Sequence, residues 1–137
     1  MYGCRVVGSN RIPVSRGRVQ EKAMPFAICN YAGDRKLGGK FVVLLSREDP
    51  DDGILVLSDF SRDFQHRDIV MRWESSTGRS VSVAGLKVAG GGWWKYEMPD
   101  QLIVYGQSAA YGRFDPSWLR ERLVPGAVFG EERIDVR

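Results

Sequence analysis

The sequence predicts an α/β fold, a mixed sheet of about five or six strands with one helix packed on each face. Three observations carry that reading. The runs Phe41-Val42-Val43-Leu44-Leu45 and Ile54-Leu55-Val56-Leu57 are apolar without alternation, as strands are when both faces are covered. Two helical patterns follow: in one, His66, Ile69, Val70 and Trp73 share a face, and the other opens at Asp115-Pro116. The stretches between and after them, such as Leu102-Ile103-Val104, are strand-sized and bounded by Gly, Pro and Asp.

Composition bounds the function classes. At 137 residues, 43% hydrophobic and 27% charged, the chain has the makings of one globular domain, and its longest apolar runs are far too short to cross a membrane as helices. Cys4 and Cys29 have no histidine near them, so neither a disulfide framework nor a zinc site is suggested, and a reducing, cytoplasmic location fits. The net charge of +3 is mild. It suits an acidic or phosphorylated partner and falls short of a nucleic-acid signature.

In chain order, residues 1–39 read as a basic N-terminal extension, partly irregular. Arg5, Arg11, Arg16 and Arg18 all precede the first acid, Glu21, which suits a surface-wrapping arm or a contact to a protein partner or phosphate. The same arginine-rich, acid-poor start leaves organelle import open. Phe26-Ala27-Ile28 suggests a short first strand. The domain proper is expected at 40–137, with the two buried strands joined by the charged turn Glu48–Gly53. Ser61 or Asp63 is the expected N-cap of the first helix, and Thr77-Gly78 its end. Ser80-Val81-Ser82-Val83 alternates like a strand that Gly85–Val88 could continue, and Gly90-Gly91-Gly92 reads as a bend or a place of close approach. Trp93–Tyr96 and Leu102–Tyr105 should pair antiparallel about Pro99-Asp100. Alternation buries one of Trp93 and Trp94 and leaves the other near the glycines, which weighs against a nucleic-acid stacking platform. The second helix has Asp115 as N-cap, Pro116 in its first turn and Leu119 and Leu123 on one face. Ala127–Phe129 and Arg133–Val136 supply closing strand material.

Chemistry concentrates at Tyr105-Gly106-Gln107-Ser108-Ala109-Ala110-Tyr111-Gly112, where a strand runs into a small-residue loop ahead of a helix. Two glycines and unobstructed amides there could cradle an anion, and an ordinary crowded turn needs the same residues. His66 is the only histidine: a base suited to removing a proton from water near neutral pH, or a satisfied core residue on an apolar face. Lys40, at the mouth of a buried strand, offers a point charge. Metal-ligand clusters, nucleotide-type phosphate loops and paired catalytic carboxylates are missing from the sequence, so no cofactor or metal is expected.

From Phe41 to Leu123 the chain resembles the janus family of phosphohistidine phosphatases. Four segments carry the likeness in the family's order: Lys40-Phe41-Val42-Val43, Phe64-Gln65-His66-Arg67-Asp68-Ile69, the triplet Gly90-Gly91-Gly92, and Tyr105–Gly112 as a YGxSxxYG pattern. Two positions depart from the pattern, Ser58 and Trp93, where the family has arginines; Lys95 is the cation nearest the second. The resemblance implies a metal-independent phosphatase in which His66 activates water. Lys40 and the Ser108, Ala109 and Ala110 main chain would hold the phosphoryl group, with Gly92 and Lys95 beside it. The implied substrate is a phosphorylated protein or a small phosphoramidate. The two departures and the long arm favour the alternative, a non-catalytic binding protein or complex subunit on the same fold.

Overall fold

The computed structural model describes residues 3–6, 26–33, 35, 38–60, 63 and 65–137, the first four as backbone. Most of the basic arm, Ser61 and Phe64 lie outside them. Seven strands form one mixed sheet in the order β1-β2-β4-β3-β5-β6-β7. They are β1 (Gly3–Val6), β2 (Phe26–Asn30), β3 (Gly39–Ser46), β4 (Gly53–Asp59), β5 (Leu86–Glu97), β6 (Gln101–Tyr105) and β7 (Arg133–Val136), with helices α1 (His66–Thr77) and α2 (Pro116–Arg122). The six strands from Phe26 onward and the two helices realise the expected fold class. β1 adds an edge strand in a segment expected to be irregular.

Both helices are crossovers. β4 and β5 each run antiparallel to β3 and so parallel to one another, and α1 carries the chain over β3 between them. β6 and β7 are parallel neighbours linked through α2. The unalternating run in β3 divides by parity. Phe41 and Val43 join Leu55, Leu57, Trp94, Leu102 and Val104 against Leu119 of α2, while Val42 and Leu44 join Val56 against Ile69, Val70 and Trp73 of α1. Two dry layers result, one on each side of the sheet. Trp94 is the buried tryptophan, 1% exposed, and its indole N–H donates to the Ser58 carbonyl at 3.0 Å.

Several local expectations are corrected. Residues 81–85 form turns rather than a strand. The Val81 N–H is taken by the Glu74 carboxylate, Val81 plugs the α1 layer, and Val83 is left 76% exposed, so the alternation there is not that of a paired strand. The glycine triplet does not bend the chain away: β5 runs through it, with a register irregularity opposite Val43/Leu44. Ala127–Phe129 is a turn, because the buried Glu132 carboxylate accepts the Val128 and Phe129 N–H groups at 2.9 Å each and folds that segment back. Cys29 is disulfide-bonded, and the β1–β2 register sets Cys4, the one other cysteine, opposite it, so cysteine content no longer argues for a reducing compartment. No helix among the described residues is long and apolar enough to cross a membrane.

The N-cap of α1 is Gln65, not Asp63. Asp63 is 6% exposed and already committed, accepting the Ser58 hydroxyl and two bonds from the Arg72 guanidinium, at 3.0 and 3.3 Å. The bond to Asp63, ahead of the opposing desolvation, raises the Arg72 pKa further. Asp63→Ala should cost about 1–3 kcal/mol in urea denaturation, since it strips partners from a buried hydroxyl and a half-buried guanidinium. A variant with wild-type midpoint would show that the cluster contributes nothing to stability.

Candidate functional site

His66 is the first residue of α1. The helix begins there because the Asp68 carboxylate accepts the Gln65 N–H at 3.0 Å, the return half of a capping box. The 3.6-residue period then turns His66 inward with Ile69, Val70 and Trp73, and all four are buried. His66 Nε2 lies 2.8 Å from the Gly92 carbonyl oxygen. A carbonyl only accepts, so Nε2 carries the proton and Nδ1 keeps its lone pair in the neutral ring. Gly92 thus enters the site through its carbonyl, which orients the imidazole.

Gly91 is where the helix and the loop meet. A Cβ on it would stand 2.6 Å from the Phe41 carbonyl oxygen, 3.0 Å from His66 Cδ2 and 3.3 Å from Ser108 Cβ. The imidazole and Ser108 therefore lie against the same glycine, from segments 42 residues apart in sequence. The loop is pinned there by its own bonds. Ser108 and Gly112 exchange N–H to carbonyl bonds at 3.1 and 2.9 Å, and the Gly91 N–H donates to the Gly112 carbonyl at 3.1 Å. Gly106 and Gly112 supply the positive φ values, +79° and +85°, that this tight return requires.

The amides of this loop are less free than its composition suggests. Ser108 Oγ accepts the Ala110 and Tyr111 N–H groups at 3.2 and 3.1 Å, so Ala110 is turned into the loop. Of the two small-residue amides expected to face an anion, that of Ala109 takes no part in these bonds. With both lone pairs engaged, the Ser108 hydroxyl hydrogen is the group left to donate.

Across the sheet, Ser58, Lys40, Trp93 and Tyr105 are successive register partners on β4, β3, β5 and β6, and so form one row. Lys40 Nζ lies 4.7 Å above the Trp93 ring, and the Trp93 and His66 rings meet edge to face at 6.3 Å. Ser58 is withdrawn from the row's surface by its bond to Asp63. Lys95 is two residues further along β5, 3.5 Å from Glu97 and over the Tyr105 ring at 5.6 Å; it borders the site rather than meeting His66. Arg67, exposed in the first turn of α1, lowers the Tyr111 hydroxyl pKa against the larger upward effect of burial, so the helix start and the loop tip adjoin. Among the described residues no three His, Cys, Asp or Glu side chains converge as a metal site would need.

No protein-family model matches the chain, and none of the curated proteins matches it.

Three effects act on the imidazole. Burial lowers the His66 pKa, the bond to Gly92 opposes that, and the Lys40 charge lowers it further. In an NMR titration the imidazole should have its midpoint below the ordinary 6.5. Below 6.5 the unfolded chain then binds more protons at this residue than the folded one, so the stability His66 contributes rises with pH and is lost as pH falls through that window. A midpoint at or above 6.5 would contradict this.

The sequence pattern brings Lys40, His66 and Ser108 forward, and the fold gathers all three. It underrates Trp93, together with Phe60, whose ring lies 5.7 Å from it. The signal is present: alternation in β5 puts Trp93 on the face opposite buried Trp94, the face that carries His66.

Proposed function

We propose that the chain is a metal-independent phosphatase of the phosphohistidine type, acting on a phosphorylated protein or a small phosphoramidate. The observation that carries the reading is the fixed imidazole. With Nε2 held by Gly92 at 2.8 Å, Nδ1 is the basic atom, and a pKa below the ordinary range keeps it unprotonated at neutral pH. Nδ1 removes a proton from the water that attacks phosphorus, the bond from phosphorus to the leaving nitrogen or oxygen breaks, and the proton passes to that leaving atom. Lys40, the Ser108 hydroxyl and the Ala109 amide stabilise the charge on the phosphoryl oxygens.

Turnover of a phosphohistidine peptide and of a generic phosphoester in EDTA tests the reaction. Inorganic phosphate titrated against backbone amide shifts tests the cradle: the affected signals should cluster at Ser108–Gly112, Lys40 and His66. No turnover on either substrate would sink the catalytic reading.

A second reading, a non-catalytic binding subunit on the same fold, is favoured by one feature. The two positions where the resembled family has arginines hold Ser58, closed onto Asp63, and Trp93, covered by Lys40. Recovery of the native protein in a stable assembly, with a phosphorylated peptide bound but not hydrolysed, would support it.

A further inference from the structure

The two sides of the sheet are protected in different ways. β7 is charged, with Arg133 and Asp135 alternating with Ile134 and Val136. The Arg133 N–H faces β6, donating to the Asp100 carbonyl at 2.7 Å, so the backbone groups of Ile134 and Val136 face outward, and Arg120 donates to the Val136 carbonyl at 3.0 Å. Charge and an arginine cap of this kind keep an edge from pairing with another chain. The opposite side lacks them. β2, Phe26-Ala27-Ile28-Cys29-Asn30, holds no charged residue, and β1 is the strand that covers it.

β1 is tied down covalently. Cys29 is buried and disulfide-bonded, and the chain's one other cysteine, Cys4, is its register partner. The Tyr31 N–H donates to the Leu57 carbonyl at 2.8 Å, which turns the backbone groups of Cys29 and Tyr31 toward β4 and those of Ile28 and Asn30 toward β1. Cys4 and Cys29 therefore form a non-hydrogen-bonded pair, the kind whose Cα atoms approach to about 4.5 Å, within disulfide reach. In this register the ladder pairs Gly3–Asn30 and Arg5–Ile28 and the bridge hold β1.

We infer that this bridge is a redox latch on a self-association edge: a dithiol reductant opens it, β1 leaves, and β2 pairs antiparallel with the β2 of a second copy. The dithiol supplies two electrons and two protons, becoming a disulfide itself while Cys4 and Cys29 become thiols. Cys4 lies on the terminal strand, so fraying of β1 brings the buried bridge within the reductant's reach. Removing the bridge restores the chain entropy it withheld, which raises the opened fraction of β1 by about 10²–10³-fold for a loop of this length. The edge then uncovered is apolar and uncharged, the kind that templates pairing. A second copy fits it because the strand is self-complementary. Centred on Ile28, two antiparallel β2 strands set Ile28 against its counterpart and Phe26 against Asn30, with no like charges opposed. The outward groups of Ile28 and Asn30 serve either pairing, so β1 and a second copy exclude one another.

Amide hydrogen exchange with and without dithiothreitol, read beside the mass from light scattering, tests both halves of the inference. In dilute protein, reduction should speed exchange at the Ile28 and Asn30 amides, which face β1, by about 10²-fold or more. The Cys29 and Tyr31 amides, which face β4, should keep their protection. As the reduced protein is concentrated, its mass should double and protection should return at Ile28 and Asn30, while the oxidised protein stays monomeric. Cys4→Ser in reductant should behave as reduced wild type does. Unchanged exchange at Ile28 and Asn30 on reduction would overturn the latch, since β1 would then be held without the bridge. Loss of protection at Cys29 and Tyr31 as well would overturn it too, because the bridge would then hold the whole fold. A reduced protein that loses protection at Ile28 and Asn30 yet stays monomeric at every concentration would overturn the pairing with a second copy. Should Cys4→Ser fail to fold, oxidised and reduced wild type still decide the matter.

Discussion

Replacing His66 by alanine is expected to lower kcat/KM on a phosphorylated substrate by about 10²–10⁴-fold, the range for losing a positioned general base. Alanine also strips the Gly92 carbonyl of its 2.8 Å partner inside a buried site, which costs about 1–3 kcal/mol of stability. Activity and stability would then fall together. Glutamine separates them: its amide can donate to the same carbonyl, yet it has no basic atom. H66Q should therefore keep most of the stability and lose turnover as fully as H66A. Phosphate should still perturb Lys40 and the 108–112 amides in both variants, because the cradle does not depend on the base. Wild-type kcat/KM should fall on the acid side with an apparent pKa below 6.5, following the depressed imidazole. Turnover undiminished in H66Q would remove His66 from the mechanism.

Elements governed by local rules are legible in the sequence. α2 has Asp115 accepting the Ser117 and Trp118 N–H groups at 3.0 and 3.2 Å and Pro116 in its first turn, as the residues dictate. α1 buries the face that the spacing of His66, Ile69, Val70 and Trp73 defines. The unalternating runs at 41–45 and 54–57 are central strands. What stays hidden depends on distant partners. Ser80–Val83 has strand alternation and, among the described residues, no strand to pair with. Gly90–Gly92 looks too permissive for a strand until Phe41 and Tyr105 are seen pressing on it from β3 and β6. The same distinction holds at the site. His66 and Ser108 can be singled out by type, but their contact through Gly91 is a tertiary fact. The loop's small residues promise open amides. The Ser108 hydroxyl competes for those amides locally, and composition cannot report which acceptor wins.

Gly91→Ala should be the most informative single-methyl change in the protein. No positive φ is involved at this position, so backbone strain plays no part and the effect is one of space. The new methyl would stand 2.6 Å from the Phe41 carbonyl oxygen, closer than Cβ atoms come to backbone, and 3.0 and 3.3 Å from His66 Cδ2 and Ser108 Cβ. Phe41 cannot yield cheaply, because β3 is hydrogen-bonded to β4 on one side and β5 on the other and its side chain fills the α2 layer. The yielding groups are then the imidazole and the loop. Overpacking of this kind costs about 1–3 kcal/mol. The loss of kcat/KM should exceed the loss of stability, since a ring pushed off Gly91 also leaves the Gly92 carbonyl that sets its tautomer. Gly78→Ala is the matched contrast. Gly78 has φ +79°, and a methyl added there would meet nothing within 4 Å, so its variant carries left-handed strain alone. That strain costs about 1 kcal/mol and should leave kcat/KM unchanged. Urea denaturation with imidazole NMR on both variants checks the pair. If Gly91→Ala keeps the wild-type midpoint and the wild-type His66 signals, the three-way contact at Gly91 does not hold the histidine, and the fixed tautomer loses its structural cause.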